Sequence, residues 1–342
     1  MNGKPDKKRI MLFSSDPLTL ATGHFEPGNA EAFCRAVENE DRRRLAEAEL
    51  AYIRGESAQA NEAFRALAET VSEDLMPTAI LGSVLSSLAG GDLRDLIQTY
   101  EFARSIQVSS LDGESELTRL GGAFMLYFNI LIRNLPAITF PPFGPDAFSM
   151  PPSLVPLAFY IYTSFLIETG DVGRAIGMAE GALVFMDRPC PVSEIYLSLI
   201  IARGYMLQKV WDKAEFYFKY AWNLAKPDRL YMPFAEHRGM LSGMLEKCLR
   251  YDEPQAYKKI LELSNAYHKR WVFVHNELTG ERISDALTAI EYNVASLAAK
   301  GLSNGEIADF LGITVNSVRA HLRNIFNKLG IGNRRALGDY VI

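Results

Sequence analysis

The chain has 342 residues, of which 48% are hydrophobic and 23% are charged, and its formal net charge is −5. This length suits two or three domains, and the composition is ordinary for a globular protein. The acidic balance excludes a protein that binds nucleic acid with its whole surface. The longest apolar stretches fall short of the roughly 18–20 residues that span a bilayer, so we expect a cytoplasmic protein without membrane contacts.

The N-terminal segment, residues 1–40, is expected to be partly helical and not to act as a signal peptide. Its apolar run covers only residues 10–13, whereas a signal-peptide core needs roughly 7–15 residues. The three cysteines, Cys34, Cys190 and Cys248, lie far apart and form no CxxC pair. We therefore expect buried, reduced thiols rather than a disulfide or a metal site.

Residues 41–280 show a helical pattern that recurs along the chain. Each of three segments has a helix, a turn, and then an alanine with an aromatic or small residue four positions later. These pairs are Ala60 and Phe64, Ala175 and Ala179, and Ala214 and Phe218. The pattern resembles the tetratricopeptide repeat, whose period is about 34 residues. It predicts a degenerate solenoid of helical hairpins; the alternative is an irregular all-α domain.

The helical pattern stops between residues 134 and 156. This segment contains seven prolines and the three phenylalanines Phe140, Phe143 and Phe148. Proline disfavours helix, and the aromatic content is unlike that of a solvated linker. We predict an ordered loop, which either plugs the helical domain structurally or covers a small-molecule pocket.

Catalytic and cofactor motifs do not occur. The sequence lacks the phosphate-binding GxxxxGK[ST] pattern, GxSxG and HExxH, and its five histidines are scattered. His275 is expected to be buried with its hydrogen bonds satisfied. We therefore predict no enzyme, no cofactor and no metal.

The last part of the chain, residues 287–342, follows a linker at 281–286 and contains signals for four short helices. Residues 288–342 carry a net charge of +2, against −7 for the rest. Thr288 with Glu291 and Ser303 with Glu306 form capping boxes. The predicted helices end at Lys300, Leu311, Leu329 and Val341, and the third and fourth begin after caps at Thr314 and Asn333. Glycine follows each of the first three.

The third of these helices is amphipathic in an informative way. Its predicted buried stripe consists of Val318, Leu322, Ile325, Phe326 and Leu329. The opposite face presents Asn316, Arg319, Ala320, Arg323 and Asn327, and it contains no acid. A helix of this width fits the major groove of DNA, where arginine can pair bidentately with guanine.

Residues 287–337 resemble the LuxR-type (GerE-type) helix-turn-helix domain of bacterial transcription regulators. The resemblance rests on GLSNGEIADFLGIT and on the pattern from Ser317 to Leu329. It implies that Arg319, Ala320 and Arg323 face the bases. The predicted phosphate or flanking positions are Asn316, Ser317, His321, Asn327 and Lys328. The resemblance also implies a dimer-forming fourth helix with Leu337, Tyr340 and Val341; the alternative is that these residues pack only within their own domain.

The predicted fold is thus all-α, with a tetratricopeptide-like solenoid followed by a four-helix LuxR-type domain. This combination resembles the maltose-regulon activator family without its ATPase portion. We expect a transcription regulator that binds double-stranded DNA as a homodimer and senses a small molecule or a protein through residues 41–280. The main alternative is an interaction adaptor whose tail does not read DNA; a weaker one is an enzyme with an unrecognised site under the 134–156 loop.

Overall fold

The computed structural model describes residues 16, 18–105, 116–134, 151–241, 243–280 and 286–341. These residues form helices joined by short turns, and no strand occurs among them, which confirms the predicted all-α class. In the same ranges no helix combines the length and the apolar character needed to cross a membrane.

The body of the molecule contains thirteen of the described α-helices. They are α1 Ala30–Ala36, α2 Glu40–Arg54, α3 Ser57–Thr70, α4 Met76–Ala89, α5 Leu93–Ser105, α6 Glu116–Leu131, α7 Val155–Glu168, α8 Val172–Val184, α9 Pro191–Leu207, α10 Trp211–Ala225, α11 Met232–Leu241, α12 Met244–Leu249 and α13 Pro254–Thr279. The C-terminal domain follows with α14 Ala289–Ala299, α15 Asn304–Leu311, α16 Val315–Leu329 and a 3₁₀ segment Arg334–Asp339.

Small residues and glycine turns hold neighbouring helices together, as the repeat pattern predicts. Gly55 adopts a left-handed conformation with φ of 82° between α2 and α3. Ala60 and Phe64 of α3 are buried. A Cβ atom on Gly82 of α4 would lie 2.4 Å from the Phe64 ring, so glycine is needed for this close approach.

The second and third repeats of the pattern show the same packing. The side chains of Ala175, Ala179, Ala214 and Phe218 are fully buried between α7, α8, α9 and α10. Gly204 of α9 faces Ile176 of α8, where a Cβ would come within 2.6 Å. The local helix pairs are therefore present, while the tetratricopeptide-like solenoid as a whole stays a prediction.

Contacts between distant helices add a feature that a one-dimensional stack lacks. In a solenoid each repeat contacts only its neighbours, but here α13 packs on α4 and α5, and α2 packs on α11. Arg270 of α13 donates to the carbonyl of Ser87 at 2.6 Å and to that of Leu88 at 3.2 Å. A cation thus satisfies carbonyls at the C-terminal end of α4, where the helix dipole favours positive charge.

The N-terminal segment is partly helical, since it contains α1. Residues 19–21 are held by the buried carboxylate of Glu49, which accepts three backbone N–H groups. The three cysteines are free and buried, as expected, and His275 is buried with Nδ1 2.6 Å from the carbonyl oxygen of Ile132.

Two predicted segments fall largely outside the described residues. Of the proline- and phenylalanine-rich loop, residues 135–150 are not described, and Pro152–Leu154 forms a 3₁₀ turn that leads into α7. Residues 281–285 of the predicted linker are not described either.

The fourth predicted helix of the C-terminal domain is different in the structure. Instead of an α-helix from Arg334 to Val341, the chain forms a 3₁₀ segment that ends at Asp339. A segment this short gains few i→i−4 hydrogen bonds, and Tyr340 N–H donates instead to the Leu337 carbonyl, three residues back, at 3.1 Å. Asn333 caps this segment as predicted.

Candidate nucleic-acid interface

Helix caps position the two helices of the helix-turn-helix. The Glu306 N–H donates to Ser303 Oγ at 3.2 Å, and the Glu306 carboxylate accepts the Ser303 N–H at 2.6 Å. This confirms the predicted capping box at the start of α15. Gly312 ends α15 with φ of 64°, a conformation that glycine adopts at little cost. The turn to α16 is therefore short and well defined.

The core-facing side of α16 is the predicted stripe. Val318 and Ile325 are fully buried, Leu322 is buried, and Phe326 and Leu329 are partly buried against the same core. These residues pack α16 against α14 and α15. Because this side of α16 faces the core, the opposite side faces the solvent.

The opposite face of α16 is open to solvent in the intact chain. Asn316, Arg319, Arg323 and Asn327 are exposed, and Ala320 is half-buried between them. The Arg319 guanidinium donates to Asn316 Oδ1 at 3.3 Å. Since α16 contains no Asp or Glu, nothing on the helix itself would repel a phosphate backbone.

The predicted flanking positions lie at the edges of this face. Ser317 is half-buried at the first turn of α16, with Oγ 2.8 Å from Thr314 Oγ1. His321 is half-buried on the side of the helix. The structure thus brings the predicted base-facing and flanking residues of α16 onto one continuous surface.

Lys328 has a contact that sequence reasoning missed. Its ammonium donates to the buried carboxylate of Glu291 in α14 at 2.6 Å. Although burial opposes it, the hydrogen bonds from Lys328 and Thr288 hold the pKa of Glu291 below its ordinary value. The two residues are 37 positions apart, so no local sequence pattern indicates the pair.

Arg334 is a second residue whose role sequence reasoning missed. Its guanidinium donates to the Ala298 carbonyl at 3.2 Å, to Asn304 Oδ1 at 3.0 Å and to the Leu302 carbonyl. It therefore fastens the C-terminal segment to the turn between α14 and α15. Its neighbour Arg335 is exposed, and the sequence alone does not distinguish them.

The three residues predicted to form a dimer helix lie at the end of the domain. Leu337 is fully buried and Val341 is 8% exposed, both within the hydrophobic core of the chain, while Tyr340 is half-buried. Leu337 and Val341 contact the core of their own chain, and their part in a dimer stays a prediction.

The C-terminal domain rests on the body through α14 and α15. Phe310 of α15 packs on Trp211 of α10 with ring centroids 5.0 Å apart, and the Lys247 ammonium lies 5.5 Å from the Phe310 ring centroid. Tyr292 of α14 packs edge-on against His268 of α13 at 5.0 Å. This docking leaves the polar face of α16 accessible.

Among the described residues, no group of three or more His, Cys, Asp or Glu side chains is arranged to hold a metal ion.

Comparison with known proteins identifies the family of the C-terminal domain. The family model for bacterial regulatory proteins of the luxR family (GerE) matches residues 285–341. Similar proteins include the transcriptional regulatory protein MctR of Rhizobium johnstonii, 34% identical over 104 residues, which are 30% of this chain and 48% of MctR. The HTH-type transcriptional regulator MalT of Yersinia pestis is 29% identical over 94 residues, 24% of this chain and 10% of MalT. MalT of Yersinia pseudotuberculosis matches to the same extent.

The chain therefore spans about half of MctR and about a tenth of MalT. No solved structure matches the chain. The capped α15–α16 pair, its glycine turn and the family match agree with one another. Residues 285–341 are a helix-turn-helix domain of the luxR family of bacterial regulatory proteins.

Proposed function

We propose that this protein is a sequence-specific DNA-binding transcription regulator whose helix α16 enters the major groove. The observation that carries the proposal is the exposed, acid-free face of α16 around Arg319 and Arg323. The similar proteins MctR and MalT are named as transcriptional regulators. The acidic body would contribute little to DNA affinity, so binding depends on the C-terminal domain.

Three positions on α16 are proposed to face base edges. Arg319 and Arg323 lie four residues, or about one helical turn, apart, and each can donate bidentately to guanine O6 and N7. Ala320 sits between them and has only a methyl group, which suits contact with the methyl group of thymine. The hydrogen bond from Arg319 to Asn316 restricts the guanidinium before DNA arrives, which reduces the entropy lost on binding.

The residues beside this face are proposed to contact phosphates. Ser317 at the first turn, His321 on the flank, and Asn316 and Asn327 at the two ends of the strip lie where backbone contacts fix register. Lys328 keeps ammonium donors beyond the one it gives to Glu291, because the group carries three. Its pairing with Glu291 gives it a fixed position but lowers its effective charge.

One domain makes few such contacts, so we propose that two copies bind two half-sites as a homodimer. Paired modules gain affinity through effective concentration, without any new contact to DNA. Because Leu337 and Val341 are buried, dimer contacts at this end would use Tyr340 and its exposed neighbours.

Residues 41–280 are proposed to sense a small molecule or a protein partner. The domain docks on this body through α14 and α15, so a ligand with different affinities for two docking arrangements would shift their populations. Exposed aromatic residues on the body, such as Phe216 of α10, support the second candidate function, an interaction adaptor.

The decisive experiment first selects the DNA sequences that the full chain enriches from a random pool. Fluorescence anisotropy then measures the affinity of the full chain for the enriched sequence at about 50 and 200 mM salt. The double variant Arg319→Ala/Arg323→Ala should lose the enriched sequence and about 1–3 kcal/mol for each arginine–guanine pair. Its circular dichroism should be unchanged.

The matched control removes two exposed arginines from the body, Arg35→Ala/Arg94→Ala, and alters net charge equally. It should keep the sequence preference. Equal, weak and purely salt-dependent binding by wild type and both double variants would refute the reader function and favour the adaptor.

A further inference from the structure

A cavity of about 490 Å³ lies where the helical body meets the luxR domain. Its walls come from α6, α7, α9, α11 and α13, and residues 286–288 and Tyr292 of the C-terminal domain close one side. Sites for small organic ligands commonly measure roughly 300–1,000 Å³ and often lie between domains. We name it the junction cavity.

Aromatic rings form much of the wall of the junction cavity. They belong to Tyr127, Tyr160, Tyr267, His268, Trp271 and Tyr292. The Tyr127 and Tyr160 rings pack edge to face with centroids 6.2 Å apart. Ring walls of this kind favour a flat apolar group, which can stack or pack edge-on against them.

One end of the cavity carries an excess of positive charge. Arg203 donates to Glu168 at 2.5 Å and Arg133 donates to the same carboxylate at 2.9 Å. Among the described residues, Glu168 is the acid with which both arginines form their ion pairs. Burial together with Arg203 and Arg133 lowers the pKa of Lys300, at the end of α14, to about 7. Two guanidinium groups thus share one carboxylate.

A hydroxyl group in the wall also lacks a hydrogen bond. Tyr267 is 4% exposed, and its Oη has no hydrogen-bond partner among the described residues. A buried polar group normally has a partner, because leaving it without one costs free energy. The nearby acid Glu236 accepts from Tyr52 and Tyr196 and not from Tyr267.

We propose that the junction cavity binds a small aromatic carboxylate, and that this molecule is the effector of the regulator. Its carboxylate would pair with Arg133 and Arg203, its ring would pack against the tyrosines and Trp271, and a polar atom would accept from the Tyr267 hydroxyl. A single negative charge on the ligand would offset the excess of Arg133 and Arg203 over Glu168. The inference rests on the proposed function in so far as it assigns the ligand as effector.

The cavity is connected to the recognition helix by contacts in the structure. Thr288 lines the cavity and caps α14. Its N–H donates to the Glu291 carboxylate at 2.9 Å, and the same carboxylate accepts from Lys328 of α16. A ligand that contacts Thr288 and Tyr292 would therefore act on α14, which is linked to α16 through Glu291 and Lys328. It would change how the C-terminal domain docks on the body.

Calorimetric titration of the full chain tests the site without DNA. The probes are 4-hydroxyphenylacetate, 4-hydroxycinnamate and 5-hydroxyindole-3-acetate, each of which has a ring hydroxyl that can accept from Tyr267, and each is measured beside its neutral amide. At least one carboxylate should bind, with the amide weaker by about tenfold or more, because a charge-assisted pair is lost. No binding by any of the three carboxylates would overturn the proposal and leave the regulator function untouched.

Two variants locate the binding. Arg133→Gln should weaken binding of the carboxylate about tenfold, and Tyr267→Phe should weaken it about three- to tenfold. In the free protein Tyr267→Phe should not lower the melting temperature, because it removes a hydroxyl that has no hydrogen-bond partner among the described residues. The controls Arg174→Gln and Tyr257→Phe lie away from the cavity lining and should bind as wild type does. Binding that both cavity variants leave unchanged would overturn the assigned site.

A final titration tests whether the bound carboxylate acts as an effector, apart from whether it binds. The best carboxylate is added to the complex with the selected DNA, and the DNA affinity of wild type and Tyr267→Phe is compared. A change in affinity that the variant reduces supports the effector role. If the carboxylate binds but the DNA affinity does not change, the effector role is overturned. If the protein shows no specific DNA binding in the absence of the carboxylate, the proposed function itself has failed.

Discussion

Thr314 caps the first turn of α16, the helix that is proposed to enter the major groove. Its hydroxyl oxygen accepts the Ser317 N–H at 3.1 Å, which satisfies one of the free N–H groups at the start of α16. Arg319 lies five residues after Thr314, which is about one and a half helical turns, so the proposed DNA-binding face begins close to this cap. We therefore expect this hydrogen bond to affect the proposed contacts of α16 with DNA.

Replacing the cap tests this dependence. Thr314→Ala should lower the free energy of unfolding of the C-terminal domain by about 1 kcal/mol, measured by urea unfolding, and should weaken binding to selected DNA. Thr314→Ser keeps the oxygen and should behave as wild type. Equal stability of the alanine and serine variants would contradict the role of the cap.

Lys328 and Glu291 show how one pair serves two purposes. The pair joins α16 to α14, and it places the ammonium at the edge of the proposed DNA face. A lysine predicted to bind phosphate is therefore also a structural residue. Its loss would affect stability and DNA affinity together, so we chose the exposed arginines for the functional test.

At the scale of elements, the docking of α15 on α10 decides which face of the C-terminal domain is free. Phe310 is 9% exposed and lies between Trp211 and Lys247. Next to it, Gly243 adopts φ of 88° and a Cβ there would lie 2.4 Å from Leu311. The body therefore covers α15 on the side away from the polar face of α16.

The docking contact can be weakened from the body side. Trp211→Ala removes the ring that faces Phe310 and should loosen the domain, so amide hydrogen exchange in α15 should become about tenfold faster, the equivalent of roughly 1.4 kcal/mol. The control Phe216→Ala removes an exposed ring from the same helix and should leave exchange in α15 unchanged. Unchanged exchange in Trp211→Ala would show that the contact contributes nothing to docking.

At the scale of the whole molecule, the body contains acids in an apolar interior. Burial raises the pKa of Glu236 to about 7, against hydrogen bonds from Tyr52 and Tyr196 that lower it. Burial likewise raises the pKa of Glu49, in the C-terminal half of α2, to about 7. The folded state therefore holds these protons more tightly than the unfolded chain does.

This difference predicts how stability changes with pH. Between the ordinary pKa of 4.5 and about 7, the unfolded chain loses the Glu236 proton before the folded protein does, so stability falls as pH rises through this window. Glu236→Gln removes the ionisation. The stability of the variant relative to wild type should rise by about 2–3 kcal/mol from pH 4.5 to 7 and stay constant above.

Chemical unfolding of both proteins at several pH values measures the effect. A constant offset between the two profiles would reflect altered hydrogen bonds of the amide, because those do not depend on pH. Only the slope between pH 4.5 and 7 reports the proton, and parallel profiles would contradict the raised pKa.

The sequence by itself determined the local features of the C-terminal domain. The caps at Thr288, Ser303, Thr314 and Asn333 and the ends at Gly312 and Gly330 all appear in the structure. Each depends on residues within about one helical turn, and the buried stripe of α16 depends on helical periodicity alone. Such signals are readable because the interacting residues are close in sequence. The last predicted helix, Arg334 to Val341, is present as a shorter 3₁₀ segment that ends at Asp339.

Only the tertiary structure decided which distant residues meet. The pair of Lys328 and Glu291, the packing of α13 on α4, and the junction cavity all join segments that are far apart in the chain. Arg203 and Glu168 lie on α9 and α7 and Arg133 lies in the turn after α6, and nothing in their local sequence indicates that two cations share one acid. Local hydrogen bonds and periodicity specify helices, whereas long-range packing places charges, cavities and domain faces relative to one another.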